Sequence, residues 1–206
     1  MKSTIFDLDT TDPTCVHKNP SDSIHLYEFT IPTLPAFAIE YFTLQFGALS
    51  CFPGKKDSIQ NDKLTVCLEY DLNDFDSKLV IHYHGIRDYK LLFPFVADPS
   101  LQERLGNFYR EAEITFENAS WLSFMLMCGA IFEGILFAKL GQNKSFKDLI
   151  STASQQGLID TRTESIMTIV RCYRNLVHAN KHTESYVSRI DAMDTRITLD
   201  RLIKAV

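Results

Sequence analysis

The sequence predicts an α+β protein in which a small N-terminal α/β unit with antiparallel strands precedes an all-helical C-terminal bundle. Two observations predict this class. Short runs that alternate apolar and polar residues occur only within the first hundred residues, and such alternation is typical of half-buried strands. From residue 99 onward apolar residues recur at helical spacing, and no strand pattern follows. We therefore place the domain boundary after residue 98, which gives domains 1–98 and 99–206.

The N-terminal elements begin with residues 4–8, which predict either a short strand or a loose arm. Residues 24–31 alternate with period two and predict a strand. Pro35 then opens an apolar segment, residues 36–49, whose spacing predicts a helix, because proline is favoured in a first helical turn. Residues 53–62 are polar and predict a loop.

Three further runs complete this unit. Residues 64–70 and 79–84 both alternate with period two and are joined by the turn-rich residues 71–77, a pattern that predicts neighbouring antiparallel strands. Residues 89–95 carry apolar side chains on one face and predict a third strand. Together these runs predict an antiparallel meander.

The C-terminal half contains five predicted helices, each bounded by residues that favour helix ends. Serine, aspartate and asparagine precede the apolar-periodic segments, and glycine follows them. The helices are expected at residues 99–117, from Asn118 or Ser120 to Gly141, at residues 145–156, from Asp160 or Thr161 through the motif described below, and at the C-terminal end.

The apolar run at residues 121–140 is long enough for a membrane span. Glu133 lies inside it, however, and an ionisable group is costly in hydrocarbon. No second apolar run of this length follows. We therefore interpret the run as the central helix of a bundle, apolar nearly all round because neighbouring helices cover it, and expect no membrane association.

Composition favours an ordinary globular protein: 206 residues, 45% hydrophobic and 23% charged. The five cysteines are far apart and include no CxxC pair, which disfavours a disulfide framework or a zinc site and favours a reducing compartment. The N-terminal residues lack the apolar core of a signal peptide. These features predict a cytoplasmic protein, and we expect no cofactor and no bound metal.

The two halves differ in charge. Residues 1–99 carry 8 lysines and arginines against 14 acidic residues, while residues 100–206 carry 13 against 12. Eight of the nine arginines lie in the second part, and arginine is the better bidentate ligand for phosphate oxygens. The charge distribution gives weak support for a phosphate-bearing ligand in the second half.

Candidate chemistry lies near the end of the fourth predicted helix, at Arg171, Arg174, Asn175 and His178. At ~100° of rotation about the helix axis per residue, the directions of Arg171 and His178 differ by about 20°. Arg174 and Asn175 lie about 40° and about 60° from His178, on opposite sides of it. The apolar Val170, Tyr173 and Val177 would point to the core. Such a face suits a phosphodiester, because arginine stabilises phosphate charge and histidine transfers protons near neutral pH.

This segment resembles the HEPN family, helical-bundle proteins with an arginine followed four to six residues later by a histidine. Six residues separate Arg171 from His178, and the local sequence RNLVHAN resembles the family's RN…H ending. The sequence GAIFEGILFAKL at residues 129–140 resembles the family's central helix. The resemblance covers about residues 100–206.

The resemblance implies a metal-independent endoribonuclease, a hydrolase in which the ribose 2′-hydroxyl attacks the phosphate. It also implies a homodimer through the helical domain, with a composite RNA-binding groove for tRNA or structured RNA, and a role as toxin or antiviral defence effector with an antitoxin or regulatory partner. Carried over, His178 transfers protons, Arg171 or Arg174 holds the scissile phosphate, and Asn175 orients it. Only three residues separate Arg174 from His178, so either arginine could be the motif arginine.

Glu133, like Asn175, is expected to support the candidate site without taking part in the reaction. Small and apolar neighbours surround it on the central helix, so we expect it to be buried, and a buried carboxylate requires a partner. We predict that Glu133 pairs with Arg171 or Arg174; the alternative is that it reaches solvent at the edge of the bundle.

Other interpretations remain. The same motif residues could hold a nucleotide or partner without catalysis, or the helical domain could serve dimerisation alone. Asp7 and Asp9 match a phosphatase DxDxT pattern, but the predicted antiparallel strands do not suit that fold. His82 and His84 share a strand face and could bind metal only with a third ligand such as His25.

Overall fold

The computed structural model describes residues 1–21 and 23–205. The chain divides into two units, Met1–Leu91 and Leu92–Val206. The first unit contains two antiparallel sheets and the second contains five α-helices, so the expected α+β class is confirmed. Each unit is described separately below.

The N-terminal unit is built from eight strands. Its first sheet has the strand order β1-β8-β4-β5, and its second sheet has the order β2-β3-β7-β6. All strand pairs are antiparallel. The strands are β1 (Lys2–Asp7), β2 (Cys15–Ser21), β3 (Ile24–Thr30), β4 (Phe37–Phe46), β5 (Leu49–Cys51), β6 (Ser58–Gln60), β7 (Lys63–Leu68) and β8 (Ser77–Ile86).

Alternation along the central strands places every second side chain in the core of this unit. On β7, Leu64 and Val66 are fully buried, and on β8 Leu79 and Ile81 are fully buried. Tyr27 on β3 is fully buried as well, and its hydroxyl is hydrogen-bonded to Asp71 and to the backbone of Leu72. Burial of these large side chains supplies most of the driving force for folding of the sheets.

The predicted helix at residues 36–49 is wrong, because this segment is strand β4, between β8 and β5. Aromatic and β-branched residues dominate it, a composition that favours strands. Two register irregularities on β4, between Phe37 and Ile39 and between Ile39 and Tyr41, shift the alternation of its side chains. The shifted pattern imitates helical spacing and hides the period of two.

The predicted third strand at residues 89–95 is also wrong: Tyr89–Leu92 forms a 3-10 turn. The meander is wrong too, because β7 and β8 belong to different sheets. The strands expected near residues 24–31, 64–70 and 79–84 are confirmed as β3, β7 and β8.

The segment just before the first helix belongs to the helical unit. Phe93 is fully buried, and its carbonyl accepts a hydrogen bond of 3.0 Å from the Gln102 side chain. The Lys139 ammonium lies 4.7 Å from the Phe95 ring. The boundary between the two units therefore falls seven residues before the proline that opens the first helix.

The helical unit contains the five predicted helices, and three of them start at expected capping residues; the fourth ends at Tyr173, before the expected residues 174–178. Asp98 accepts hydrogen bonds from the first backbone amides of the first helix, while Ser145 and Asp160 cap the third and fourth helices. Gly141 ends the second helix in the left-handed region, at φ 63°. The helices are α1 (Pro99–Glu117), α2 (Trp121–Leu140), α3 (Phe146–Gln155), α4 (Thr161–Tyr173) and α5 (Arg189–Ala205).

Helix α2 is central, since it contacts each of the other four helices. Its residues Cys128, Ile131, Phe132 and Ile135 are fully buried. Among the described residues it is also the one helix that is long and apolar enough to cross a membrane, with a mean hydropathy of 1.8, and 44% of that window is buried in the unit. Its contacts are those of a bundle core helix.

Candidate functional site

The motif residues do not share one helix face. Helix α4 ends at Tyr173, and Arg174–Val177 continue as a 3-10 turn. A 3-10 turn has three residues per turn, so side chains beyond residue 173 depart from the predicted α-helical angles. Val177, expected in the core, is 53% exposed, and that prediction is wrong.

Arg171 lies in the last turn of α4 and is half-buried. Within residues 1–21 and 23–205 its side chain makes no hydrogen bond or ion pair. A cation at the C-terminal end of a helix is stabilised by the helix dipole. No described residue therefore occupies the guanidinium donors of Arg171.

Arg174 is held against α2. Its Nη1 donates to Glu133 Oε2 at 2.8 Å, and the two side chains are 42% and 36% exposed. Its aliphatic stem packs on Gly129, where an added Cβ would lie 3.3 Å from Arg174 Cδ. The guanidinium also lies 5.9 Å from the Phe146 ring. The predicted ion pair of Glu133 is thus present with Arg174, although Glu133 is half-exposed rather than buried.

His178 follows the 3-10 turn in an extended conformation. Its backbone N–H donates to the Asn175 carbonyl at 3.2 Å, and its carbonyl accepts from Lys181 N at 2.9 Å. The imidazole is exposed, and neither it nor the Asn175 amide has a side-chain hydrogen bond in the described part of the chain. The backbone of His178 is fixed while its ring stays available for proton transfer.

A tyrosine–aspartate contact anchors the segment that carries His178. Tyr173, at the end of α4, donates its hydroxyl to Asp191 Oδ2 at 2.9 Å. The same oxygen accepts from Ser188 N at 3.0 Å and from Ser188 Oγ at 2.6 Å. These bonds join the end of α4 to the start of α5, so residues 174–188 form a loop with both ends tied.

These contacts shift two pKa values. Burial raises the pKa of Asp191, but hydrogen bonds from Ser188 and Tyr173 outweigh burial and leave the pKa below its usual value. The pKa of Tyr173 is raised by burial and by its hydrogen bond to Asp191. This anchor was not predicted from the sequence, although serine followed three residues later by an acidic residue is a recognisable helix-start signal.

Several large apolar side chains near the motif face solvent. On α5, Ile190, Met193 and Ile197 are 74%, 40% and 42% exposed, and their spacing places them on one helix face. Tyr186 precedes them and is also exposed. Ile190, Met193 and Ile197 thus form an exposed apolar stripe on α5.

The histidines of the sheets do not form a metal site. His84 pairs with Glu40, and His82 stacks on Tyr41 with ring centroids 4.3 Å apart. His25 lies in the other sheet and contacts His17. No group of three or more histidine, cysteine or acidic side chains within the described residues could hold a metal ion.

Comparison with known proteins gives no independent assignment of this site. No family model matches the chain, and no curated protein or solved structure is significantly similar to it. The functional interpretation therefore depends on Arg171, in the last turn of α4, and His178, after the 3-10 turn, whose side chains have no partner among the residues that the structure describes.

Proposed function

We propose that the helical unit is a metal-independent endoribonuclease of the HEPN type. The observation that carries the proposal is the pair Arg171 and His178, whose side chains are free of partners in the described residues while their neighbours Tyr173 and Arg174 are tied down. A site that binds and cleaves a phosphodiester needs such available groups on a fixed backbone. Independence from metal rests on the resemblance to the family.

In this mechanism Arg171 holds the scissile phosphate through its guanidinium and stabilises the negative charge of the transition state. His178 accepts the proton of the 2′-hydroxyl, and the 2′-oxygen attacks phosphorus as the bond to the 5′-oxygen breaks. The products are a 2′,3′-cyclic phosphate and a 5′-hydroxyl, whose oxygen takes a proton from a second acid. Asn175 hydrogen-bonds the substrate.

Arg174 takes a positioning role in this proposal rather than a phosphate-binding one. Its ion pair with Glu133 and its packing on Gly129 fix the first residue of the 3-10 turn against α2. Moving it to a phosphate would break the ion pair and lose the packing. In this proposal the motif arginine is Arg171, which six residues separate from His178, within the family spacing.

A homodimer through the helical unit completes the proposal. The exposed stripe of Ile190, Met193 and Ile197 on α5 offers an apolar surface for a second copy, and the second copy's histidine would supply the acid. The substrate class is tRNA or another structured RNA, and the setting is cytoplasmic, as a toxin or defence effector with an antitoxin or regulatory partner. Five free cysteines agree with a reducing compartment.

The test is cleavage of a panel of tRNAs and structured RNAs in EDTA by the full chain. We expect His178→Ala and Arg171→Ala to lose activity by about 10²–10⁴-fold, the usual contribution of a general acid–base group. His182→Ala is the matched control, because His182 is an exposed histidine one turn further along. Cyclic-phosphate ends must appear with the wild type.

Equal activity of His178→Ala and His182→Ala would overturn the assignment of the site. The second candidate is a non-catalytic module that binds a nucleotide or partner, and the open, exposed position of His178 favours it. That candidate predicts RNA or nucleotide binding without cleavage by the dimeric wild type, and loss of that binding in Arg171→Ala.

A further inference from the structure

Two histidines in the second sheet form a contact that the proposed ribonuclease does not use. His17 on β2 and His25 on β3 bring Nε2 and Nδ1 within 3.0 Å of each other. The rings are inclined by only 10°, and their centroids are 5.2 Å apart. This separation is close to the N···N distance plus the two ring radii, so the rings lie edge to edge, almost in one plane.

An in-line N···N contact of this kind holds one proton. One nitrogen must carry hydrogen and the other must present its lone pair, because a histidine nitrogen cannot donate and accept at once. A metal ion between the two nitrogens would need a wider gap, since zinc–nitrogen bonds are about 2.0–2.1 Å each and a ligand pair facing in line would be separated by twice that. The geometry fits a shared proton.

The pair sits on a rigid support. His17 stacks on Tyr27, its cross-strand partner, with centroids 4.2 Å apart and planes at 4°. The fully buried Tyr27 donates to Asp71 Oδ1 at 2.7 Å and accepts from Leu72 N at 3.1 Å. Tyr27 therefore holds His17 in place, and the position of His17 relative to His25 follows from the register of β2 and β3.

Three groups on or beside the two strands, Asp71, Tyr27 and Cys15, have shifted pKa values. Hydrogen bonds from Asn73 N and Tyr27, with the nearby histidines, lower the pKa of Asp71. Burial, with its bond to Asp71, raises the pKa of Tyr27 to about 12, and burial with nearby Asp12 and Asp9 raises that of Cys15. Asp71 interacts with both histidines, and Tyr27 stacks on His17. Cys15, Lys18 and Glu28 lie on the same two strands, Asp9 and Asp12 lie near Cys15, and Asp22 lies outside the described residues.

We propose that His17 and His25 are an acid-sensitive latch that holds the edge strand β2 on β3 and releases it when both rings are protonated. The first added proton leaves an N–H···N bond in place between the rings, and the Asp71 carboxylate attracts the positive charge of that proton. The second proton places an N–H against an N–H and two like charges side by side. Opening of the hairpin separates these two like charges, so acid favours opening.

Strand β2 is the part that would move. It is an edge strand, and all its side chains except the half-buried Cys15 are exposed. Its pairing with β3 is already irregular between Lys18 and Ser21. Loss of the latch would uncover the outer backbone edge of β3, a row of hydrogen-bonding groups that can accept another strand.

The test is amide hydrogen exchange of the full chain at about pH 7.5 and about pH 5, on either side of the ordinary histidine range, corrected for the intrinsic pH dependence of exchange. We expect exchange at residues 16–18 and 26–28 to rise at least tenfold at the lower pH, while the β4–β8 pair stays unchanged. Protection of the β2–β3 amides that is equal at the two pH values would overturn the proposal.

Variants separate the latch from general acid sensitivity. In His17→Gln the side-chain amide can still donate to His25 but cannot be protonated. In His25→Asn the amide oxygen can still accept from His17. Both variants should keep the β2–β3 amides protected from exchange at neutral pH and abolish the rise in exchange at the lower pH. His84→Gln, in the other sheet, should keep the rise. A rise that persists in His17→Gln and His25→Asn would show that another group is responsible.

Discussion

Each unit of the chain holds a tyrosine hydroxyl against an aspartate, and the two contacts differ in their surroundings. Tyr27 donates to Asp71 at 2.7 Å and is fully buried, with His17 stacked on its ring. Tyr173 donates to Asp191 at 2.9 Å and is half-buried. Arg171, in the last turn of α4, and His178, in the loop that follows, have no side-chain partners among the described residues.

The two tyrosine–aspartate hydrogen bonds therefore have different consequences for the residues around them. Around Tyr27 the two histidine rings are directed at each other, so in the proposed latch the second added proton changes the conformation. Around Tyr173 the anchor fixes the backbone and leaves the motif side chains open, so a change in protonation changes only what those side chains can do. Matched tyrosine-to-phenylalanine substitutions test this contrast, because each removes one hydroxyl and keeps the ring.

The larger effect is expected for Tyr27→Phe. The substitution removes the acceptor of the buried Leu72 N–H, and an unsatisfied buried donor costs about 1–3 kcal/mol. The N-terminal unit should therefore lose stability in urea unfolding followed by a probe within the sheets. The latch should also weaken at neutral pH, because the ring loses its fixed position beneath His17. An unchanged unfolding midpoint would contradict the inferred role of the hydroxyl.

A smaller effect is expected for Tyr173→Phe, about 0.5–1.5 kcal/mol for one half-buried hydrogen bond. The pKa of Asp191 is lowered in the folded state relative to its value of 3.8 in the unfolded chain. The stabilisation is therefore present at pH values above 3.8 and is lost as the pH falls through the lower pKa of the folded state. The raised pKa of Tyr173 keeps its contribution intact up to about pH 10. The difference between wild type and variant should be constant from about pH 5 to 9 and shrink below about pH 4.

The same variant also tests the site. If Tyr173 only anchors the loop, Tyr173→Phe should lower RNA cleavage modestly and leave its pH profile unchanged, because His178 is untouched. A loss as large as that of His178→Ala would mean that the hydroxyl contacts the substrate. Ser188→Ala, which removes another donor to Asp191, is the matched control for anchoring.

The helical unit could be predicted closely from the sequence because its signals are local. Asp98 and Pro99 define the start of α1, and Gly141 defines the end of α2. The sheets depend instead on distant pairing: nothing near β7 and β8 in the chain indicates that they join different sheets. The register irregularities of β4 depend on its partner β8 as well.

The candidate site likewise has features that local sequence predicts and features that depend on contacts between distant residues. The pairing of Glu133 with an arginine was predictable, because a carboxylate in an apolar helix requires a partner. The end of α4 at Tyr173 was not, since neither glycine nor proline marks it. Contacts with other helices, Arg174 with Glu133 on α2 and Tyr173 with Asp191 on α5, accompany the change from α-helix to 3-10 turn there, and such contacts cannot be read from local sequence.

The smallest effect on stability is expected for Glu133→Gln. Both side chains of the ion pair are more than one-third exposed, and exposed pairs contribute about 0–1 kcal/mol. The amide oxygen of glutamine can still accept from Arg174, so the unfolding midpoint should barely move. Cleavage should fall further in Glu133→Leu than in Glu133→Gln, since leucine releases Arg174 from α2 and lets the 3-10 turn shift. If both variants cleave RNA at the wild-type rate, Arg174 does not position His178, and the Tyr173–Asp191 contact alone fixes the loop.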